Sequence, residues 1–264
     1  YFFYCDAYKE LAPAFLEFTK SHRQSQDNNF VHLLDEIRKC EVDDTTINLL
    51  NKRYDPDHIP DPTEFSITLA ATNAIASSEN TKRLNEIKST NYSFHALIRG
   101  DFDDHNTPSS MFLDLKKDAQ VIFVKNDVER RWVNGTIGKI EFIANDVIEV
   151  RLANGNVYKV EKETWEHRKY KYDRIKGKVV SEVKGTFMQY PIRLAWAITI
   201  HKSQGLTFDK VIIDLGSGAF VNGQLYTALS RSRTLKGITL KRRIQFKDII
   251  QDERLMKFYN ELEG

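Results

Sequence analysis

Phe15, Leu16 and Phe18 make a short apolar run that ends at Lys20, and the pattern predicts a strand there. Phe30, Leu33, Leu34 and Ile37 then recur at helical spacing, with Asp27 placed to cap the helix. A second short helix is expected after Asp43 and Asp44, burying Ile47, Leu50 and Tyr54. Pro60 and Pro62 mark a loop. Ser66 to Ala71 reads as a strand and is followed by a helix running through Leu84 and Ile87. Strand alternating with helix predicts an α/β layer as far as about residue 115.

The period then changes. Val121 to Val124 is a continuous apolar strand, and Ile148, Val150 and Leu152 alternate with Glu149 and Arg151. Asn154-Gly155 stands between that strand and Val157 to Val160 and supplies the positive φ angles of a tight hairpin. Asn134-Gly135 and Gly138 punctuate the preceding strands in the same way. Residues 116–190 are therefore expected as a small antiparallel β module. From about residue 191 the α/β pattern returns. Leu194 to Ile200 and Val211 to Leu215 read as strands, 223–232 as a helix, and Gly237 to Leu240 as the start of a strand. A last helix carries Leu255, Phe258 and Tyr259. The simplest architecture is one α/β domain, 14–115 with 191–264, into which the β module is inserted.

Composition adds little to this picture. The chain has 264 residues, 41% of them hydrophobic and 29% charged, and 11% aromatic side chains give it enough to bury. No apolar run approaches the roughly 20 residues that span a bilayer, so no membrane partner is expected. Cys5 and Cys40 are too few for a disulfide framework and have no metal-ligand spacing, so no metal site is expected on them. They suit a reducing compartment, with the cytoplasm of a bacterium expected, or the nucleus or mitochondrion if the source is a eukaryote. Tyr1 to Tyr4 followed by Asp6 is no signal peptide and reads as a start within something longer. A net charge of +2 does not by itself point to nucleic acid, though clustered charge would be compatible with it.

A nucleotide site would need Gly, four residues, then Gly-Lys-Ser/Thr, whose amides, lysine and hydroxyl hold phosphates and magnesium. Gly138-Lys139 and Gly177-Lys178 both lack the upstream glycine and the hydroxyl. Leu33-Leu34-Asp35-Glu36 superficially resembles an acidic magnesium strand but belongs to the helical pattern above. The richest polar cluster is Thr199-Ile200-His201-Lys202-Ser203-Gln204-Gly205, delivered by an apolar strand to the sheet end where open α/β sheets bind ligands. Taken alone, such a cluster is usually a solvated turn. One strand later comes Gly223-Gln224-Leu225-Tyr226-Thr227-Ala228-Leu229-Ser230-Arg231-Ser232-Arg233. On a helix, Gln224, Thr227 and Arg231 share a face. Arg231 is either an arginine favoured by a helix C-terminus or one aimed at a phosphate in a transition state.

These two stretches together, "TIHKSQGLTFDKVIID" and "GQLYTALSRSRT", resemble motifs V and VI of superfamily-one helicases in their petite-integration-frequency (PIF) and RecD-type branch. Thr19 to Ser25, containing Arg23, resembles motif IV of that branch. Ala71-Thr72-Asn73 with Asn80 resembles its strand-to-helix DNA contact. Val121 to Asp127 with Arg131 to Gly138 resembles the start of its inserted barrel. The resemblance implies the second of two RecA-like domains, of the P-loop NTPase type, with an SH3-like barrel inserted and ATP in the cleft between the two domains. It makes residues 1–13 linker from a first domain, which would hold most of the ATP and Mg²⁺ and would be the partner of this region. It makes Arg23 and Arg231 γ-phosphate arginines, with Arg233 the weaker finger candidate. The resemblance also implies that Gln204 and Gly205 couple nucleotide to DNA, and that Thr72, Asn73, Thr199, His201 and Lys202 contact single-stranded DNA. It also implies 5′-to-3′ translocation by a monomer in DNA replication, repair and telomere maintenance, and no hydrolysis by this chain alone.

The bland alternatives are a surface arginine for Arg23 and a helix cap for Thr72 and Asn73. Arg168, Lys169, Lys171, Arg174, Lys176 and Lys178, interleaved with Tyr170 and Tyr172, suit phosphates and bases but equally a solvated face. Trp132 is expected in the barrel core rather than on a base. Two further readings stand beside the motor: a non-catalytic nucleic-acid-binding module, and the helicase region of a conjugative relaxase or RecD-type nuclease subunit.

Overall fold

Asp27 and Asp43 start the first two long helices as the sequence requires: their carboxylates accept from Phe30 N at 3.1 Å and Thr46 N at 2.8 Å. The computed structural model describes residues 1–11, 13–16, 24, 27–102 and 107–263. In chain order its helices and strands begin with α1 (Asp6–Leu11), α2 (Asn28–Lys39), α3 (Asp44–Asn51), β1 (Ile67–Ala70) and α4 (Asn73–Glu86). They continue with β2 (Tyr92–His95), β3 (Leu97–Gly100), β4 (Phe112–Leu115), β5 (Gln120–Phe123), β6 (Ile137–Ala144), β7 (Val147–Leu152) and β8 (Val157–Val160). The last are β9 (Glu163–Asp173), β10 (Lys178–Gln189), β11 (Ile192–Leu194), β12 (Ala197–Thr199), β13 (Val211–Asp214), α5 (Gln224–Leu229), β14 (Ile238–Leu240) and α6 (Glu253–Glu263). These elements fall into two compact units, 1–58 with 207–264, and 59–206.

In the first unit, Phe30, Leu33, Leu34 and Ile37 bury one face of α2, so Asp35 and Glu36 sit on a helix and not on a strand. β13 and β14 pair in parallel, Val211 opposite Ile238. Asn51 fixes the end of α3 by donating to Ile244 O at 3.0 Å and accepting from Ile244 N at 2.7 Å. Residues 1–13, expected as linker, include an anchor: the buried Phe3 stacks on Phe258 of α6 with ring centres 4.3 Å apart. Tyr1 Oη donates to Asp252 at 2.6 Å. Of the expected strand at 15–20, Phe15 and Leu16 are exposed coil, and the rest lies outside the described residues.

In the second unit, β1 and β12 are parallel neighbours, Leu69 opposite Ile198. A five-stranded antiparallel sheet, in the order β11-β5-β6-β7-β8, carries an extensive buried core. Phe123, Ile140, Ile148, Val150 and Tyr190 are buried there, and Trp132 stacks on Phe123 at 4.3 Å, in the core as expected. The Asn154-Gly155 turn joins β7 to β8, with Gly155 at φ +84°.

The expected single strand 194–200 is two strands serving two sheets. Ile192–Leu194 pairs with β5 and Ala197–Thr199 with β1. The buried side chain of Gln120 bridges the break, donating to Ser66 O at 2.8 Å and Ala195 O at 2.7 Å, so the interrupted ladder leaves these carbonyls satisfied. The helix expected over 223–232 is shorter, because Ser230 already caps α5. The basic run at 168–178 lies in the strands and turn of the long β9–β10 hairpin, which pairs with β3 only at its base, from Gly185 to Met188.

Candidate nucleic-acid interface

Most of the residues expected to touch DNA lie in the second unit, around an open cleft of about 580 Å³. α4 forms one wall and the end of β12 another. Asn73, Thr199 and Lys202 all line it; Thr72, His201, Gln204 and Gly205 do not. Thr72 is the N-cap of α4, its hydroxyl accepting from Ile75 N at 3.3 Å, and Asn73 is the first exposed helical residue. The cap reading of Thr72 is therefore realised, and such a cap contributes about 1 kcal/mol to helix stability. The amide of Asn80 is fully used by the backbone of β12, donating to Ala197 O at 2.7 Å and accepting from Ala197 N at 2.9 Å. It fastens α4 to the strand that delivers the polar cluster.

β12 ends in a tight turn. The buried hydroxyl of Thr199 accepts from Lys202 N at 3.4 Å, and Ser203 Oγ donates to Ile200 O at 2.6 Å. His201 is thrown out to solvent, as are Gln204 and Gly205. Gly205 has φ +81° with open space where a Cβ would stand, so conformation rather than crowding calls for glycine there.

The cleft also holds a residue that the sequence did not disclose. Arg193, at the middle of β11, lines the cleft with its Nη2 on Thr107 O at 2.5 Å. Its Nε is buried and has no hydrogen-bond partner. Burial lowers its pKa from the ordinary value. Lys202 is exposed as a residue, yet its ammonium is also held below the usual lysine range, first by partial desolvation and then by the charge of Arg193. A cation held down by burial and by a like charge across a polar cleft is relieved by an anion placed beside it. The acidic side chain in the lining, Asp114, is engaged by Ser93 Oγ and by Asn91 Nδ2. Arg193 sits in an otherwise apolar strand, so periodicity alone assigns it to the sheet.

The first unit carries Arg231. It is 9% exposed, with Nε donating to Thr227 O at 3.0 Å and Nη2 donating to Ser230 Oγ at 2.8 Å. Thr227 O is one of the last carbonyls of α5, so the helix-end interaction is present in this conformation. Gln24, next to Arg23, donates to Ser230 O at 3.2 Å and Ser232 O at 3.0 Å and so clamps the backbone on both sides of Arg231. Arg23 itself lies outside the described residues. Arg233 is exposed and pairs with Asp209 at 2.8 Å. Among the described residues no group of three His, Cys, Asp or Glu side chains is arranged to hold a metal ion, and no helix is long and apolar enough to cross a membrane.

Residues 194–238, which contain both polar motifs, match the UvrD-like helicase C-terminal domain. The ATP-dependent DNA helicase Pif1 of Bdellovibrio bacteriovorus is 34% identical over 252 residues, covering 92% of this chain and 54% of that protein. The human ATP-dependent DNA helicase PIF1 is 31% identical over 271 residues, covering 97% of this chain and 39% of that protein. The chain thus spans about half the length, or less, of these relatives. Among solved structures, Pif1 from Bacteroides bound to ssDNA superposes with a TM-score of 0.70 at 35% identity, covering 94% of this chain and 56% of that one.

Proposed function

This chain is a homologue of the PIF-type helicases and corresponds to their C-terminal part; from that premise we propose that it is the second motor region of an ATP-dependent 5′-to-3′ DNA helicase. Its α/β fold is of the RecA-like helicase kind. In this reading the five-stranded sheet is an inserted SH3-like barrel. The cleft holding Asn73, Thr199, Arg193 and Lys202 is part of the single-strand track, and a first RecA-like domain supplies most of the contacts to ATP and Mg²⁺.

The observation that carries the reading is the cleft. Residues more than 120 positions apart in sequence converge on one polar depression that is rich in amides and cations. Phosphate contacts of this kind hold a strand without reading its bases. Arg231 and Arg23 are the proposed γ-phosphate arginines, with Gln204 and Gly205 passing the nucleotide state to the DNA contacts. Arg231 would have to exchange its hold on Thr227 O and Ser230 Oγ for phosphate oxygens, and its planar fork suits that exchange. The sequence contains no phosphate-binding loop, so the chain by itself is proposed to hydrolyse no ATP.

The test uses the enzyme that contains this region together with a phosphate-binding domain. Arg231→Ala is expected to lower DNA-stimulated ATP turnover by ~10³-fold or more, with Arg231→Lys still badly impaired. Loss of a partly buried helix-end interaction alone costs up to about 2 kcal/mol of stability and leaves turnover near normal. Near-normal turnover in Arg231→Ala would sink the finger assignment.

A further inference from the structure

The β9–β10 hairpin outgrows everything it is paired with. Its base, Gly185 to Met188, is held by β3, and a register shift follows between Val183 and Gly185. Beyond that point two strands run on alone from Arg168–Val183 to Asp173–Lys178. Strands this long without a third partner or a core are marginal on packing grounds, so folding alone does not account for them.

Charge is distributed very unevenly over the chain. Residues 168–180 hold six Lys or Arg and one Asp. Taking these from the chain's 39 cations and 37 acids leaves 33 against 36 for all other residues. The positive balance of the protein therefore resides in this one arm. Asp173 is occupied with the turn, accepting from Ile175 N at 2.9 Å and Lys176 N at 3.1 Å. Arg168 is paired with Glu166. Lys169, Lys171, Arg174 and Lys178 form no ion pair among the described residues.

The register sorts the arm into two faces, because directly opposed residues point the same way. Tyr172 opposes Val179 and Tyr170 opposes Ser181 on one face; Lys171 opposes Val180 and Lys169 opposes Glu182 on the other. Tyr170 is 66% exposed, Tyr172 63% and Val179 63%. Neither tyrosine ring is in contact with another aromatic ring or a cation among the described residues. The two rings stand two residues apart on one strand, about 7 Å. Aromatic residues on an open sheet face are a stacking platform for unpaired bases, and cations nearby add attraction for the strand's phosphates.

We propose that the β9–β10 arm is a second single-stranded nucleic-acid contact, separate from the cleft, in which Tyr170 and Tyr172 stack on bases and the positive field of Lys169, Lys171 and Lys178, on the opposite face of the ribbon, draws the strand to the arm. It shares with the proposed function only the class of ligand. The cations alone would hold a duplex equally well; the tyrosines select unpaired bases, whose faces are open.

The experiment measures binding of an oligo-dT strand of about 15 nucleotides, and of a duplex of the same length, by fluorescence anisotropy across a salt series. Tyr170→Ala/Tyr172→Ala is expected to weaken single-strand binding about tenfold or more and to leave duplex binding unchanged. Tyr170→Phe/Tyr172→Phe retains affinity. Lys169→Gln/Lys171→Gln/Lys178→Gln lowers the slope of log K against log salt on single strand and duplex alike. Photocrosslinking of a 5-iodouracil strand should label Tyr170 or Tyr172. Wild-type single-strand binding by the tyrosine-to-alanine variant overturns the proposal, and so do equal losses on single strand and duplex. Oligomers in sedimentation that disperse with the tyrosine substitutions would assign the face to a second copy of the chain instead. Thr199→Ala/Lys202→Ala separates the two sites: losses there with silent arm variants reject the arm and keep the cleft, whereas no DNA binding by the unaltered chain rejects both.

Discussion

The five-stranded sheet and the β9–β10 arm follow one another in the chain and are built from the same strand geometry, yet they use it in opposite ways. In β7 the alternation Ile148, Val150, Leu152 puts every second side chain into a core closed by Phe123, Trp132 and Tyr190. In the arm the alternation Tyr170, Tyr172 against Lys169, Lys171 puts nothing into a core. Hydrophobic burial contributes roughly 25 cal/mol per Å² of apolar surface removed from water, and the arm gains almost none of it. What the arm keeps is exposed chemistry. The contrast separates residues selected for packing from residues available for contact, within one unit of the fold.

The largest expected effect comes from breaking the sheet side of this comparison. Trp132→Ala removes a ring that is 6% exposed and stacked on Phe123, and should cost about 3–5 kcal/mol of unfolding free energy. Tyr172→Ala in the arm should stay within about 0.5 kcal/mol of the unaltered chain. Denaturant melts of the two variants check this, and similar losses in both would erase the distinction.

A smaller effect belongs to an ion pair at the sheet. Arg131 grips Asp127 through Nε at 2.8 Å and Nη2 at 2.7 Å and lies over the Trp132 ring. The hydrogen bonds from Arg131 pull the Asp127 carboxyl from 3.8 to about 2. A carboxylate whose folded pKa is depressed adds stability that is fully present above its unfolded pKa and is lost as pH falls through its folded one. Arg131→Ala should cost about 1–3 kcal/mol at neutral pH and should flatten the loss of stability between about pH 4 and pH 2. Melting temperatures followed over that range test both halves of the statement. By contrast, Lys169→Gln in the arm, which breaks no ion pair, should leave the acid profile in place.

The smallest effect sharpens the comparison by using the same backbone constraint in both regions. Gly155 at φ +84° turns β7 into β8, and Gly177 at φ +60° closes the arm; both have open space where a Cβ would stand. Alanine at either position meets a left-handed penalty of about 1–2 kcal/mol. Gly155→Ala should show that cost in a global melt, because its hairpin unfolds with the core. Gly177→Ala should leave the melt nearly unchanged and instead speed amide exchange at the tip of β9 and β10, where local opening suffices. A full global cost at Gly177 would show the arm to be cooperative with the core.

The sequence by itself determined the elements whose information is local. Asp27 and Asp43 before apolar helical spacing, Asn154-Gly155 between alternating strands, and the long apolar runs at 121–124 and 211–215 each carry their own signal. So do the two polar motifs around 199–205 and 223–233, because a family's motifs are contiguous in the chain. The arm was legible only as a run of charge, since a strand exposed on both faces has no apolar period to read. Tertiary structure alone decided that 192–194 and 197–199 serve different sheets, with Gln120 bridging the break. It alone brought Arg193 into a cleft with Asn73 and Lys202, left its Nε without a partner, and turned Arg231 onto Thr227 O and Ser230 Oγ at the end of α5. These are matters of which surfaces meet and where an unpaired charge ends up. Such contacts join residues far apart in the chain, and no spacing along it records them.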